Sequence, residues 1–166
     1  MVVFETPRLS VSRFGLEHLE EVYLLNSNAE VMRYIRPVKN REECVLFLRE
    51  ILVAYQMQPR YGRWRVTEKE SGAFAGTFAL IPYHPGSRIQ LGYALLPPFW
   101  GRGYATELTA AGAAYFFQTS GAPFLEAYTE PANLPSQHVL RKCGFHPEGL
   151  VRDAAKELMR FVLLAG

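Results

Sequence analysis

Cysteine is scarce in this chain, with only Cys44 and Cys143 among 166 residues. Neither sits in a CxxC pair or another metal-ligand spacing, so no disulfide framework and no metal site is expected. Two reduced, packed thiols in a reducing compartment are the expected state. Long apolar runs are also missing. Nothing approaches the roughly 20 residues that cross a bilayer, and the opening MVVFETPRLS has no basic segment leading into an apolar one. A cytoplasmic protein without a membrane partner is expected. Nor is there an excess of one charge: 18 Lys and Arg face 16 Asp and Glu. That balance gives no fold-wide basic stripe, so no nucleic-acid partner is expected. Repeats, low-complexity tracts and dividing linkers are absent. One domain over residues 1–166 is the expectation, and 49% apolar residues suffice for a substantial core.

The patterns that are present change period along the chain. Arg8 to Phe14 alternates as a strand does. Leu16 to Asn26, Ala29 to Tyr34 and Glu42 to Tyr55 carry apolar residues at helical spacing, and Pro37 ends the second of these. Trp64 to Glu68, Ala73 to Tyr83 and Arg88 to Leu95 read as three strands separated by Ser71-Gly72 and by His84-Pro85-Gly86-Ser87. A helix is expected from Arg102 to Gln118, a strand from Phe124 to Thr129, and a helix from Asn133 to Cys143 stopped by Gly144. Two strands close the chain, Phe145 to Leu150 and Glu157 to Leu164, with Gly149 and the segment around Asp153 between them. Without strict βαβ alternation, the expected class is α/β or α+β. The sheet should be mostly antiparallel, with one parallel crossover at the third long helix.

LGYALLPPFWGRGYATE is the most informative stretch. A strand ends, two prolines follow, Gly101 and Gly103 bracket Arg102, and a helix begins. Glycines let the backbone turn tightly and approach a ligand. The helix start adds unpaired N–H donors and about half a positive charge, which suits a phosphate. A dinucleotide turn requires Gly or Ala where Thr106 stands, and a P-loop requires Gly-Lys-Ser/Thr. A plain tight turn is the other reading. Ala105, Ala110, Ala111, Gly112, Ala113 and Ala114 give the helix a slim surface that packs closely on a sheet and fixes the turn.

Trp100 to Glu107 resembles the acyl-CoA pyrophosphate loop of the GNAT acetyltransferases, in the form W-G-x-G-Y-A-T-E of the RimJ/RimL-like branch. Glu5-Thr6-Pro7-Arg8-Leu9 is similar to that branch's opening strand. Ala29 to Tyr34 resembles its x-E-V-M-R-Y helix, and Leu91-Gly92-Tyr93 its I-G-Y triplet. NLPSQHVLRKCGF, from Asn133 to Phe145, resembles N-x-x-S-x-x-V-L-x-K-x-G-F. The resemblance spans essentially the whole chain. It implies a GNAT fold, a mixed sheet whose central parallel strands splay apart, flanked by helices. It also implies acetyl-CoA as cosubstrate and a primary amine as acceptor.

The resemblance places pantetheine on Ala94, Leu95 and Leu96, and pyrophosphate on Gly101, Arg102, Gly103, Tyr104, Ala105 and Thr106. Arg102 either adds a charged contact or is solvated. Backbone N–H groups of the splayed strand would form an oxyanion hole. Asn133 is a good helix N-cap and, by resemblance, a cofactor contact. Ser136 is either a first-turn helix residue or the proton donor to the CoA thiolate. The Tyr general acid of many relatives is replaced by Leu140, and a Glu that often precedes I-G-Y is replaced by Gln90. Glu126, on one strand face with Tyr128, is a candidate base, as is His84; a water chain is an alternative to both. Freeing an α-amine at pH 7 costs roughly 1.4 kcal/mol and a Lys amine about 4.6. A site without a strong base therefore suits a protein N-terminal α-amine. A small-molecule amine (an antibiotic or polyamine) and a non-catalytic acyl-CoA-binding module are the other readings. Residues 28–36 and 152–156 are expected at the acceptor's mouth, and the protein is expected to be a monomer or homodimer.

Overall fold

A computed structural model describes all 166 residues. The chain opens with a hairpin of β1 (Val2–Glu5) and β2 (Leu9–Ser12), followed by α1 (Leu19–Asn26), α2 (Ala29–Met32) and α3 (Arg41–Met57). Strands β3 (Gly62–Glu68), β4 (Phe74–Pro82) and β5 (Ile89–Leu95) follow in sequence. Then come α4 (Tyr104–Ser120), β6 (Phe124–Thr129), α5 (Leu134–Lys142), β7 (His146–Asp153) and β8 (Lys156–Leu164). The strands form one sheet in the order β1-β2-β3-β4-β5-β6-β8-β7. Only β5 and β6 run parallel, and α4 is the crossover that parallel neighbours require. The expected class is the observed one: a mixed, mostly antiparallel sheet flanked by helices.

β4 is buried from Phe74 to Leu80, as a strand covered on both faces must be. α4 lies close against it. A Cβ built at Gly112 would stand 2.1 Å from Phe78 Cζ, so the slim helix surface read from the sequence is what permits this approach. Leu108, Ala113 and Phe116 on α4 join Trp64, Phe78 and Phe161 in the core, and each large side chain there contributes roughly 1.5–3 kcal/mol of burial. α3 begins at Arg41 because Asn40 and Glu43 cap it reciprocally, at 2.8 and 3.0 Å.

Beyond shifts of one or two residues at several ends, three boundaries differ from the sequence reading in ways that matter. Glu5 to Leu9 is not one strand. Thr6 to Arg8 turns the β1–β2 hairpin, with the Leu9 amide donating to Thr6 Oγ1 at 2.9 Å; Pro7 has no N–H to contribute to a ladder. The second helix ends at Met32 rather than Tyr34. Gly149 does not separate the last strands. It lies inside β7, where the register with β8 slips between Pro147 and Gly149, a bulge that its φ of 105° accommodates. The hairpin turns in the other expected segment, between Asp153 and Lys156.

Candidate active site

The glycine turn lies between the end of β5 and the start of α4, with Gly101 and Gly103 at φ 69° and 79°. These are left-handed conformations that other residues adopt at a cost of about 1–2 kcal/mol. Gly103 is the N-cap of α4 and has no side chain to cap it. The first intrahelical bond runs from the Glu107 amide to Gly103 O, at 3.0 Å, so the N–H groups ahead of it have no intrahelical acceptor. They border a groove of about 520 Å³ that Gly101, Gly103, Tyr104, Ala105 and Thr106 line.

Side chains from distant segments hold this turn. Trp100 donates its indole N–H to Leu95 O at 2.7 Å. Glu107, in the first turn of α4, accepts from Thr6 Oγ1 at 2.5 Å, the Arg8 amide at 3.1 Å and Arg8 Nε at 2.9 Å. Two motifs about a hundred residues apart in sequence are thus one bonded unit. On the other side Glu68 accepts from Tyr104 Oη and from Arg102 Nη2, the latter at 2.7 Å. Hydrogen bonds from Ser71 and Tyr104 hold the Glu68 carboxyl below the ordinary carboxylate range, and the Arg102 charge adds to the effect. Arg102 was a candidate phosphate ligand, but its guanidinium is turned onto Glu68 and does not line the groove.

The parallel ladder is short. It joins Gln90 to Glu126 and Leu91 to Ala127, and then β5 and β6 part. The Leu96 amide still donates to Ala75 O on the β4 side, at 2.8 Å. By strand alternation, Tyr93 and Leu95 therefore aim their peptide groups into the gap. Ala94 and Leu95 line the groove there, whereas Leu96 is buried against the sheet and does not. Of the three residues expected to meet pantetheine, Leu96 is the one that does not line the groove.

A second cavity of about 340 Å³ adjoins the groove, and Tyr93, Ala94, Asn133 and Ser136 line both. Asn133 caps α5: its Oδ1 accepts the Ser136 amide at 3.3 Å. Ser136 is therefore held through its backbone amide, and its side chain shares the wall of both cavities with Tyr93. Burial raises the Tyr93 pKa, and hydrogen bonding with Ser136 partly offsets this. The sequence reading treated Tyr93 only as part of a strand motif. Its strand parity and its place just before the divergence were the available signals.

Glu126, a candidate base, is buried among cationic and phenolic partners. Its side chain is 1% exposed. Arg160 Nε donates to Oε2, Tyr128 Oη donates to the same oxygen at 3.0 Å, and Arg88 Nε stands 2.8 Å from Oε1. Oε1 has the Arg88 charge beside it but accepts no hydrogen bond; with no face on either cavity, Glu126 ties the segment entering β5 to β6 and β8. Glu126→Gln should lower stability by about 2 kcal/mol, since it weakens a buried ion pair. Urea unfolding measures this; unchanged stability with lost turnover would restore the base. His84 is exposed in its turn, 3.9 Å from Asp153. Leu140 is core, and Cys143 packs with Sγ 3.6 Å from Thr106 O.

The stretch expected at the acceptor's mouth divides. Arg36 lines the second cavity with Asp153 and Lys156, while Glu30 and Arg33 line the groove. No group of three or more His, Cys, Asp or Glu side chains could hold a metal ion, and no helix is long and apolar enough to cross a membrane.

The profile of the acetyltransferase (GNAT) domain family matches residues 8–146. An uncharacterised N-acetyltransferase of Bacillus subtilis, YoaA, is 28% identical over 156 residues, which cover 91% of this chain and 86% of the relative. A Salmonella typhimurium acetyltransferase that modifies the N-terminal serine of ribosomal protein L7/L12 has a similar structure, with a TM-score of 0.84 at 14% identity over 100% of both chains. The Vibrio cholerae spermidine N-acetyltransferase, solved with CoA and spermine, gives 0.76 at 20% identity over 94% of this chain and 95% of its own.

Proposed function

Since the chain belongs to the GNAT acetyltransferase family and is an N-acetyltransferase, we propose that it transfers acetyl from acetyl-CoA directly to a protein N-terminal α-amine. The observation that carries this reading is the uncapped start of α4 beside a groove that runs to the divergence of β5 and β6. The N–H groups from Gly103 to Thr106 would hold the pyrophosphate. The peptide groups of Tyr93 and Leu95 would pair with pantetheine and stabilise charge on the thioester oxygen. Bound acetyl-CoA supplies the thioester carbonyl. As the neutral amine forms its C–N bond and the C–S bond breaks, Ser136 would deliver a proton to sulfur, with the Tyr93 phenol behind it. The surplus amine proton would leave through water in the second cavity.

Asn133 would touch the cofactor at the junction of the two cavities. Glu126, Arg102 and Leu96 belong to the framework in this reading. Residues 1–166 form one such domain, and the free thiols suit the cytoplasm. The solved acetyltransferase of L7/L12 supports the RimJ/RimL-like branch and a protein N-terminus as acceptor. A small second cavity also fits a small-molecule amine. A paired assay decides: one short peptide with a free N-terminus and blocked Lys, then with a blocked N-terminus and free Lys. Acetylation of the first form is expected. Acetylation of the Lys form alone, or of a polyamine or aminoglycoside but neither peptide, defeats the α-amine reading.

A further inference from the structure

The acceptor cavity has a cationic wall with nothing to neutralise it. Arg36, Lys39 and Arg63 surround the single ring of Phe47, at 4.9, 5.1 and 5.4 Å from its centroid. None of the three takes part in an ion pair. The Arg36 guanidinium donates only to Asn26 Oδ1, at 2.8 and 3.3 Å. The Arg63 guanidinium has no hydrogen-bond acceptor; only its backbone carbonyl is used, by Tyr55 Oη at 2.5 Å. Burial pushes the Arg63 guanidinium down to about 9, and the Arg36 charge pushes the same way.

Burial sets this wall apart from most other unpaired cations: Arg33, Arg49, Arg60, Arg141, Lys142 and Arg152 are exposed, whereas Arg36, Lys39 and Arg63 are half-buried. Arg8, Arg41, Arg65, Arg88, Arg102 and Arg160 all have carboxylate partners. So does Lys156 at the far side of the cavity, 2.8 Å from Glu130. Asp153 there accepts from Tyr83 Oη at 2.9 Å. Contact with a ring is worth only about 0.5–1 kcal/mol per exposed cation and leaves the charge uncancelled. Gathering like charges out of water is unfavourable unless an anion completes the set. Arg36 and Arg63 face the cavity that Tyr93 and Ser136 also line, so the missing anion would arrive with the acceptor.

We propose that the acceptor carries an oxyanion, a carboxylate or a phosphate, which Arg63 and Arg36 bind while its amine meets Ser136 and Tyr93. This rests on the acetyltransferase reading and narrows its substrate. A guanidinium fork matches either oxyanion through paired N–H donors. A cavity of about 340 Å³ holds a small molecule or the first residues of a peptide. The anion therefore belongs to a side chain near the peptide's start or to an amino-acid carboxylate. A polycation meets repulsion at the same wall.

The test compares Ser-Asp-Ala-amide, Ser-Asn-Ala-amide and the phosphoserine analogue as acceptors, then free serine against serinamide, with spermidine as the cationic probe. An anionic acceptor should exceed its neutral partner roughly 10- to 100-fold in kcat/KM, mostly through KM, as loss of a charged hydrogen-bond set implies. The carboxylate and phosphate arms tell the two oxyanions apart. Arg63→Met should bring the ratio close to one with acetyl-CoA affinity unchanged, and Arg63→Lys should keep part of it. Equal rates for neutral and anionic acceptors, a preference for spermidine, or a ratio that survives Arg63→Met overturns the proposal while acetyl transfer stands. Failure to acetylate any amine, with acetyl-CoA bound, overturns the transferase reading instead. Glutarate and inorganic phosphate, titrated by calorimetry into wild type and Arg63→Met, then decide the oxyanion site without turnover. Binding weakened at least tenfold in the variant supports the site; no binding, or equal binding, removes it.

Discussion

Gly103→Glu is expected to weaken acetyl-CoA binding by roughly 100-fold or more, because like charges brought together at a binding surface cost several kcal/mol. The carboxylate would stand at the uncapped start of α4, where the groove meets the helix. The fold should survive. The nearest atom to a Cβ at this position is Arg8 Nη2, at 3.4 Å, so the side chain meets a flexible group and not the core. Leaving glycine at φ 79° costs about 1–2 kcal/mol of stability, which thermal denaturation reads separately. Thr106→Glu is the companion variant. It lines the same groove within α4, carries no backbone strain, and should weaken binding comparably. Calorimetry on both checks the result; normal affinity in two folded variants would show that this loop does not bind pyrophosphate.

Ser136→Ala should lower kcat by about 100-fold, the low end of what a positioned proton donor contributes. Its acetyl-CoA Kd should stay within about twofold, since only a hydroxyl at the reacting end is lost. Stability should change by less than about 0.5 kcal/mol, because Asn133 caps the Ser136 backbone amide, which alanine retains. Structure thus separates two positions that the sequence leaves together: the Asn133 side chain caps the Ser136 amide, and the Ser136 side chain lies beside Tyr93 on the wall of both cavities. Steady-state kinetics with parallel calorimetry measures the split. Full activity in Ser136→Ala, with activity lost in Tyr93→Phe, would move the proton donor to the phenol. Full activity in both would leave neither as the acid.

Local rules made much of the molecule legible. Helical spacing in α1, α3 and α4, alternation in β3, and the turn residues before β5 are short-range consequences of side-chain direction and backbone freedom. The glycine turn was legible for the same reason: φ above zero and an uncapped helix start are local properties. Gly149 misled because a glycine reads alike in a turn and in a bulge, and only pairing with β8 distinguishes them. For Arg102 the sequence left a ligand contact and a solvated turn open, and only the fold brings Glu68, on another strand, beside it.

The sequence by itself determined the class of fold, the family, and the place where a helix start could receive an anion, because each depends on residues close along the chain. Tertiary structure alone decided which side chains from distant segments meet. It committed Glu126 to Arg88 and Arg160, joined Thr6 and Arg8 to Glu107, and set Tyr93 against Ser136 where β5 and β6 diverge. It also gathered Arg36, Lys39 and Arg63 around Phe47 without a counter-charge. The physical reason is that charge neutralisation and desolvation depend on distance in space, and strand alternation carries no record of which chain segment will lie opposite.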